Sequence, residues 1–162
     1  MGSIIRLICE DCEKKPISGE QYIACFSIGI GMLYSKERLL GNDELSEPPM
    51  LKTIVTERRV KKEIDEMLKQ KCYIGLDYGY GLYYCNKCNK IVSKFKFEIT
   101  NSDKTYRPDY WCSKCKNKME NVSIIGEKGN AFIVKNDNER TQYYCPICGS
   151  NRIKIEEIAI WD

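Results

Sequence analysis

Histidine is absent from all 162 residues. That absence removes the commonest general base, Ser-His and Cys-His nucleophilic chemistry, and every zinc site that needs an imidazole. Catalytic zinc centres keep an open coordination position and are built mostly from histidine or carboxylate ligands, so enzymatic activity is disfavoured and the chain is read as a non-enzyme. No run of about 20 uncharged apolar residues occurs, which excludes a single-helix membrane span from the expectations. The opening Met1-Gly2-Ser3-Ile4-Ile5-Arg6-Leu7 has no basic region followed by a long apolar stretch. Without an export signal the expected compartment is the cytoplasm, where thiols stay reduced.

Cysteine, by contrast, is abundant. Eight of the ten fall into four Cys-x-x-Cys pairs: Cys9/Cys12, Cys85/Cys88, Cys112/Cys115 and Cys145/Cys148. A two-residue spacer lets the chain turn so that both sulfurs address one ion, and two such pairs complete a tetrahedral site. In a reducing compartment these eight residues are expected to be the ligands of two structural Zn2+ ions, four cysteines each. Ligating thiols are deprotonated, so eight thiolates and two divalent ions together contribute −4 and take the formal net charge from +3 to about −1. A whole-molecule basic argument for nucleic acid therefore disappears, and only local patches remain.

Three of the pairs carry an imperfect repeat with two aromatics leading in: Tyr83-Tyr84-Cys85, Tyr110-Trp111-Cys112 and Tyr143-Tyr144-Cys145. The fourth, Leu7-Ile8-Cys9, has aliphatics there. Each pair is read as a knuckle delivered by a strand. The residue after the second cysteine favours a left-handed conformation; Gly149 suits it and Asn89 tolerates it, whereas Lys116 and Glu13 suit it less, which ranks Cys9/Cys12 lowest. Further strand signals are the stretch Tyr22–Tyr34, Phe95, Phe97 and Ile99, the run Ala131–Val134, and Ile153 and Ile155 before Ile158 and Ile160.

One segment has helical rather than β periodicity. Val60, Ile64, Met67 and Leu68 recur on one face between about 56 and 71, with Thr56 as candidate cap and charged residues on the other face. The predicted class is thus a small mixed β-rich (α+β) zinc-ribbon protein, with short antiparallel strands on four-cysteine knuckles and one amphipathic helix. A single compact unit is expected, organised as 1–41 (N-terminal knuckle and strands), 42–55 (linker), 56–72 (helix), 82–118 (zinc ribbon) and 119–162 (C-terminal strands and knuckle). Gly29-Ile30-Gly31 lacks the third glycine of a dinucleotide fingerprint and is read as close packing or a bulge.

Four half-sites allow nested, sequential or crossed pairing. The nested form closes loops of 23 and 132 residues, the sequential form loops of 72 and 29. Loop-closure entropy separates them by only about 0.3 kcal/mol. The short, strand-like stretch between Cys88 and Cys112 favours the nested form, without deciding it.

The early cysteine pair, the Gly29-Ile30-Gly31-Met32-Leu33-Tyr34 segment, the aromatic-led knuckles, Cys145-Pro146-Ile147-Cys148-Gly149 and the terminal Trp161-Asp162 together resemble a group of uncharacterised bacterial zinc-ribbon proteins. The resemblance covers both ends and the middle but not the linker or helix. It implies a cytoplasmic, bacterial or phage, zinc-binding protein and brings no established activity. Glu13, Asn89 and Lys116 depart from the glycine typical of such knuckles.

Two uses of a zinc scaffold fit the residues. The first is a protein-interaction module, an adaptor or inhibitor, suggested by a near-neutral holo-protein, an acidic stretch (Asp43, Glu44, Glu47) and eleven tyrosines. The alternative is nucleic-acid binding by the 85–118 segment, which holds nine basic residues against three acids. Lys87, Lys90, Lys94, Lys96, Arg107, Lys114 and Lys116 are its candidate phosphate contacts, with Tyr110 and Trp111 as stacking partners. Cys25 and Cys72 stand outside the pairs. Cys25 has the apolar neighbours of an inert buried thiol, and Cys72 lies beside Lys69 and Lys71, which favour the thiolate.

Overall fold

The computed structural model describes residues 2–14, 22–29, 35–41, 49–135 and 139–161. Along the chain run β1 (Gly2–Cys9), α1 (Glu10–Lys14), β2 (Ile23–Gly29), α2 (Lys36–Leu40), α3 (Met50–Ile54) and α4 (Arg58–Met67). They are followed by β3 (Tyr73–Ile74), β4 (Gly79–Cys85), β5 (Lys90–Lys96), β6 (Ile99–Thr100) and β7 (Thr105–Tyr106). The chain closes with β8 (Glu120–Glu127), β9 (Asn130–Val134), β10 (Arg140–Gln142) and β11 (Ile153–Trp161). The structure is mostly β, with short helices confined to the first half.

All strand pairs are antiparallel. The main sheet runs β10-β9-β8-β4-β2-β1-β11 with β5 branching from β4, and β3-β6-β7 form a small second sheet. The β1–β11 pair brings the two ends of the described chain together, Gly2 opposite Trp161 and Cys9 opposite Ile153. Its register slips once, between Ile4 and Ile5, leaving Ile158 as an extra residue on β11. That bulge explains why the alternation of Ile153 and Ile155 resumes out of phase at Ile158 and Ile160. The sheet curls enough for β11 to lie against β8, where a Cβ on Gly126 would meet Ile155 at 3.6 Å.

β4 divides the interior. Tyr83 and Cys85 face a core formed with the helices (Leu51, Val60, Ile64, Met67) and with Phe95, Phe97 and Tyr110. Leu82 and Tyr84 face the opposite core, formed with Leu7, Phe26, Val122, Ile133, Tyr143 and Ile153. Period-two alternation on a strand buried on both faces sends the two adjacent tyrosines into different cores. Cys85 and Cys112 belong to the first core, and Cys9, Cys12 and Cys145 to the second.

The helical region departs from expectation in three ways. The amphipathic helix is shorter, α4 covering Arg58–Met67, and its N-cap is Glu57 rather than Thr56, with no side-chain capping bond. Its apolar stripe is as predicted: Val60, Ile64 and Met67 are buried, and packing of that stripe sets the ends more than capping does. Part of the expected linker is helical, because Leu51 and Val55 bury against the same core. A further short helix, α2, begins at Ser35, whose hydroxyl accepts from the Arg38 N–H, and ends at Gly41 in the left-handed region. The Ile30–Tyr34 part of the Gly-Ile-Gly segment, the acidic stretch and Asp162 lie outside the described residues.

Candidate metal centres

The four half-sites assemble in the nested arrangement. Cys85, Cys88, Cys112 and Cys115 form an inner cluster, and Cys9, Cys12, Cys145 and Cys148 an outer one; within each, all sulfurs lie within 4.8 Å of one another. The distances suit a metal and exclude disulfides. Four sulfurs at the Zn–S distance of about 2.3 Å in a tetrahedron stand about 3.8 Å apart, whereas a disulfide needs about 2.05 Å. Cys9 Sγ lies 3.5 Å from Cys148 Sγ and Cys12 Sγ 3.6 Å from Cys145 Sγ. Cys85 Sγ stands 3.4 Å from Cys115 Sγ. Each group can hold one metal ion.

Three half-sites are tight turns whose residue after the second cysteine is left-handed: Asn89 (φ 48°), Lys116 (φ 61°) and Gly149 (φ 72°). Lys116 N–H donates to the Cys112 carbonyl and Gly149 N–H to the Cys145 carbonyl, both at 2.9 Å. The first pair is built otherwise. Cys9 ends β1 and Cys12 sits in α1, so Glu13 is helical and no left-handed residue is needed there. Glu10 N–H donates to the Arg152 carbonyl at 3.0 Å, which fastens this half-site to the chain leaving Cys148.

Backbone donors and burial divide the thiols. N–H groups of Cys115 and Lys114 aim at Cys112 and lower its pKa to about 6. The Ser150 N–H lowers Cys148 in the same way. Burial raises Cys9 and Cys85, and pushes Cys12 up to about 12. Neighbouring thiols, Cys115 first, push Cys88 up to about 12. Each cluster thus holds one thiol whose ionisation the backbone favours, beside others that are raised, and resists collecting four thiolates without a cation.

The charged residues inside the turns of the two clusters differ in sign. Between Cys9 and Cys12 stand Glu10 and Asp11, which pair with Arg152 at 2.7 and 3.0 Å; Lys154 adds a contact to Glu10 at 3.0 Å. Arg152, then Lys154, hold the Glu10 carboxyl at about 2. The inner cluster instead carries Lys87 and Lys114 inside its turns, with Lys116 and Lys90 directly after them. Asn89 links the clusters: its Nδ2 donates to the Tyr144 carbonyl at 2.7 Å while its Oδ1 accepts from Tyr84 O–H at 3.2 Å.

The candidate nucleic-acid residues separate into two sets. Lys94 pairs with Glu57, and Lys96 with Asp77 at 2.7 Å. Arg107 pairs with Glu98, Lys104 with Glu63 and Lys118 with Asp109. Tyr110 is a core residue, 1% exposed, whose O–H donates to the Phe95 carbonyl at 2.6 Å. Phe95 and Phe97 are buried beside it. Lys87, Lys90, Lys114 and Lys116 remain exposed and make no ion pair among the described residues, and Trp111 is 47% exposed. Tyr144, which sequence reasoning did not select, is 46% exposed. Its place as the second aromatic of the repeat, equivalent to Trp111, does not single it out, because Tyr84 in the same place is buried.

The cysteines outside the clusters are reversed from expectation. Cys25 is exposed on β2, because β-alternation turns it away from the core that takes Phe26. Cys72 is buried, and burial raises its pKa despite the nearby lysines.

Away from the sulfurs, an open cleft of about 1120 Å³ is lined by Tyr83, Phe97, Tyr110 and Met119, with the strongly exposed Leu76 at its mouth. Ion pairs including Lys96–Asp77, Lys118–Asp109 and Lys135–Glu120 edge it. No helix among the described residues is long and apolar enough to cross a membrane. No family model, curated protein or solved structure matches the chain.

Proposed function

We propose that this chain is a non-enzymatic structural-zinc protein whose two centres brace a docking surface for another protein, as an adaptor or inhibitor. The observation that carries it is the closeness of four sulfurs in each of two clusters built into two separate cores. A tetrahedral ion with four thiolate ligands has no open position for substrate or water, so such centres stabilise and do not catalyse. Zinc is assigned over iron as the usual closed-shell occupant of structural four-thiolate sites, although the donor set accepts both. The docking assignment is supported by the cleft, whose apolar floor and charged rim follow the general anatomy of protein interfaces.

Elemental analysis of colourless, native-purified protein should give two zinc ions per chain. Visible iron–thiolate colour, or fewer than one metal per chain, refutes the assignment. For docking, affinity purification with nuclease treatment compares the wild type with Leu76→Glu at the cleft mouth. A stoichiometric partner lost from the variant supports it. Recovery of nucleic acid alone, or of the same partner from the variant, refutes it.

A further inference from the structure

We infer that the end of the molecule bearing the inner cluster is a binding surface for single-stranded nucleic acid, with Trp111 and Tyr144 as stacking platforms and Lys87, Lys90, Lys114 and Lys116 as phosphate contacts. This surface shares no lining residue with the docking cleft, and it discards the larger part of the 85–118 footprint that composition suggests.

The selection comes from pairing and burial. Of the nine basic residues in 85–118, five are in ion pairs within the fold. Removing a phosphate-binding role from those five leaves the four lysines at the cysteine turns, all exposed. They are not simply counter-charges for a thiolate centre. The outer cluster has the same four ligands, yet its first turn carries Glu10 and Asp11, whose charges Arg152 and Lys154 offset. A four-thiolate ion of charge −2 beside four lysines leaves a local excess of about +2, which the fold itself does not use.

The aromatics follow the same logic. In two of the three repeated pairs the first residue, Tyr110 or Tyr143, fills a core at 1% exposure while the second, Trp111 or Tyr144, presents nearly half its surface; in the third, both Tyr83 and Tyr84 are buried. Both flank the knuckle of Cys85 and Cys88, which contacts the segment of each. The Asn89 side chain reaches the Tyr144 carbonyl at 2.7 Å, and Lys90 Nζ reaches Ser113 Oγ at 3.2 Å, two residues from Trp111. Exposed rings flanking a lysine row suit unstacked bases tracked along a backbone.

Backbone conformation supplies a third observation. Lys116 occupies the left-handed position that glycine fills at Gly149. Asn89 occupies the equivalent position and makes two side-chain hydrogen bonds from it. From that position the Lys116 N–H closes the turn onto the Cys112 carbonyl at 2.9 Å, and its side chain is left exposed with no ion pair among the described residues.

The test uses the zinc-loaded full chain with a labelled 20-nucleotide oligothymidylate, a duplex of equal length, and poly-glutamate. Oligothymidylate should bind and quench Trp111 fluorescence. Four single-strand phosphate contacts give a slope of log affinity against log salt of about −2.8, or roughly fifty-fold weaker binding at 200 than at 50 mM. Trp111→Ala should weaken binding at least about five-fold with zinc content and melting unchanged. Each of Lys87→Ala, Lys114→Ala and Lys116→Gly should reduce the slope by about 0.7, whereas Lys96→Ala, which removes an ion-paired lysine, leaves it unchanged. No retention at 50 mM salt overturns the inference, as does a slope that survives the triple replacement. Tighter binding of duplex overturns the single-strand assignment, and equal binding of poly-glutamate identifies an acidic protein surface instead. Purified components are used throughout, so failure here leaves the Leu76→Glu result standing.

Discussion

Graded removal of metal should empty the outer centre first. In the unfolded chain, closing Cys12 onto Cys145 spans 132 residues, whereas closing Cys88 onto Cys112 spans 23. The entropic difference, (3/2)RT times the logarithm of the ratio, is about 1.5 kcal/mol, or roughly tenfold in apparent affinity. The thiols themselves do not reverse it, since each centre has one lowered by backbone N–H groups (Cys112, Cys148) and others raised. Four unpaired lysines beside the inner sulfurs act in the same direction by stabilising an anionic centre. The assay is equilibrium competition with a chelator, followed by native mass spectrometry and cysteine alkylation of the one-zinc species. Equilibrium matters because Cys9, Cys12 and Cys145 are all buried, which slows access to the outer ion. At one zinc per chain, Cys9, Cys12, Cys145 and Cys148 should alkylate while the inner four stay protected. Amide exchange should rise in β1 and β11 and stay low in α4, because the outer cysteines stitch the core containing Leu7 and Ile153. A one-zinc species that protects the outer four, or simultaneous loss of both ions, would refute the reasoning.

Further expectations concern single positions and pH. Lys116→Gly should raise stability by about 1 kcal/mol, read by thermal or denaturant melting, because glycine adopts φ near 61° without a Cβ penalty; an unchanged or lower melting point would show that the backbone there is not strained. In native holo-protein a small maleimide should label Cys25 rapidly and leave Cys72 untouched, and labelling of Cys72 first would contradict its burial. Apparent zinc affinity should rise from pH 6 to pH 8. Cys12 and Cys88, held near 12, keep their protons across that window and must release them on binding, so a pH-independent affinity would count against thiol ligation. Asn89→Gly keeps the left-handed turn but loses the bonds to Tyr84 and Tyr144, and should cost about 1 kcal/mol in denaturant unfolding; no change would show that these bonds carry no net stability.

Much of the local structure is legible in the residues. The stripe Val60, Ile64, Met67 predicts the buried face of α4, and the broken alternation at Ile158 already contains the β11 bulge. The ends of the helix were less so, since packing rather than Thr56 sets where it starts. Glu13 illustrates a different limit: it suits a left-handed turn poorly, yet the Cys9/Cys12 pair needs none, because a strand passing into a helix also converges two sulfurs.

What the sequence determines by itself is the ligand set, because a two-residue spacer is local geometry and needs no fold to be recognised. Which pairs share an ion was beyond it. The competing loop closures differ by about half of RT, and the β1–β11 pairing that joins the chain's two ends is a contact of maximal sequence separation. The tertiary structure likewise decided which basic residues remain available, since the acids that pair with Lys94, Lys96, Lys104, Arg107 and Lys118 are brought to them by folding and not by helical or adjacent spacing. Charge and aromatic content are properties of a segment. Availability is a property of the surface, and only packing turns Tyr110 inward and leaves Trp111, its neighbour, facing water.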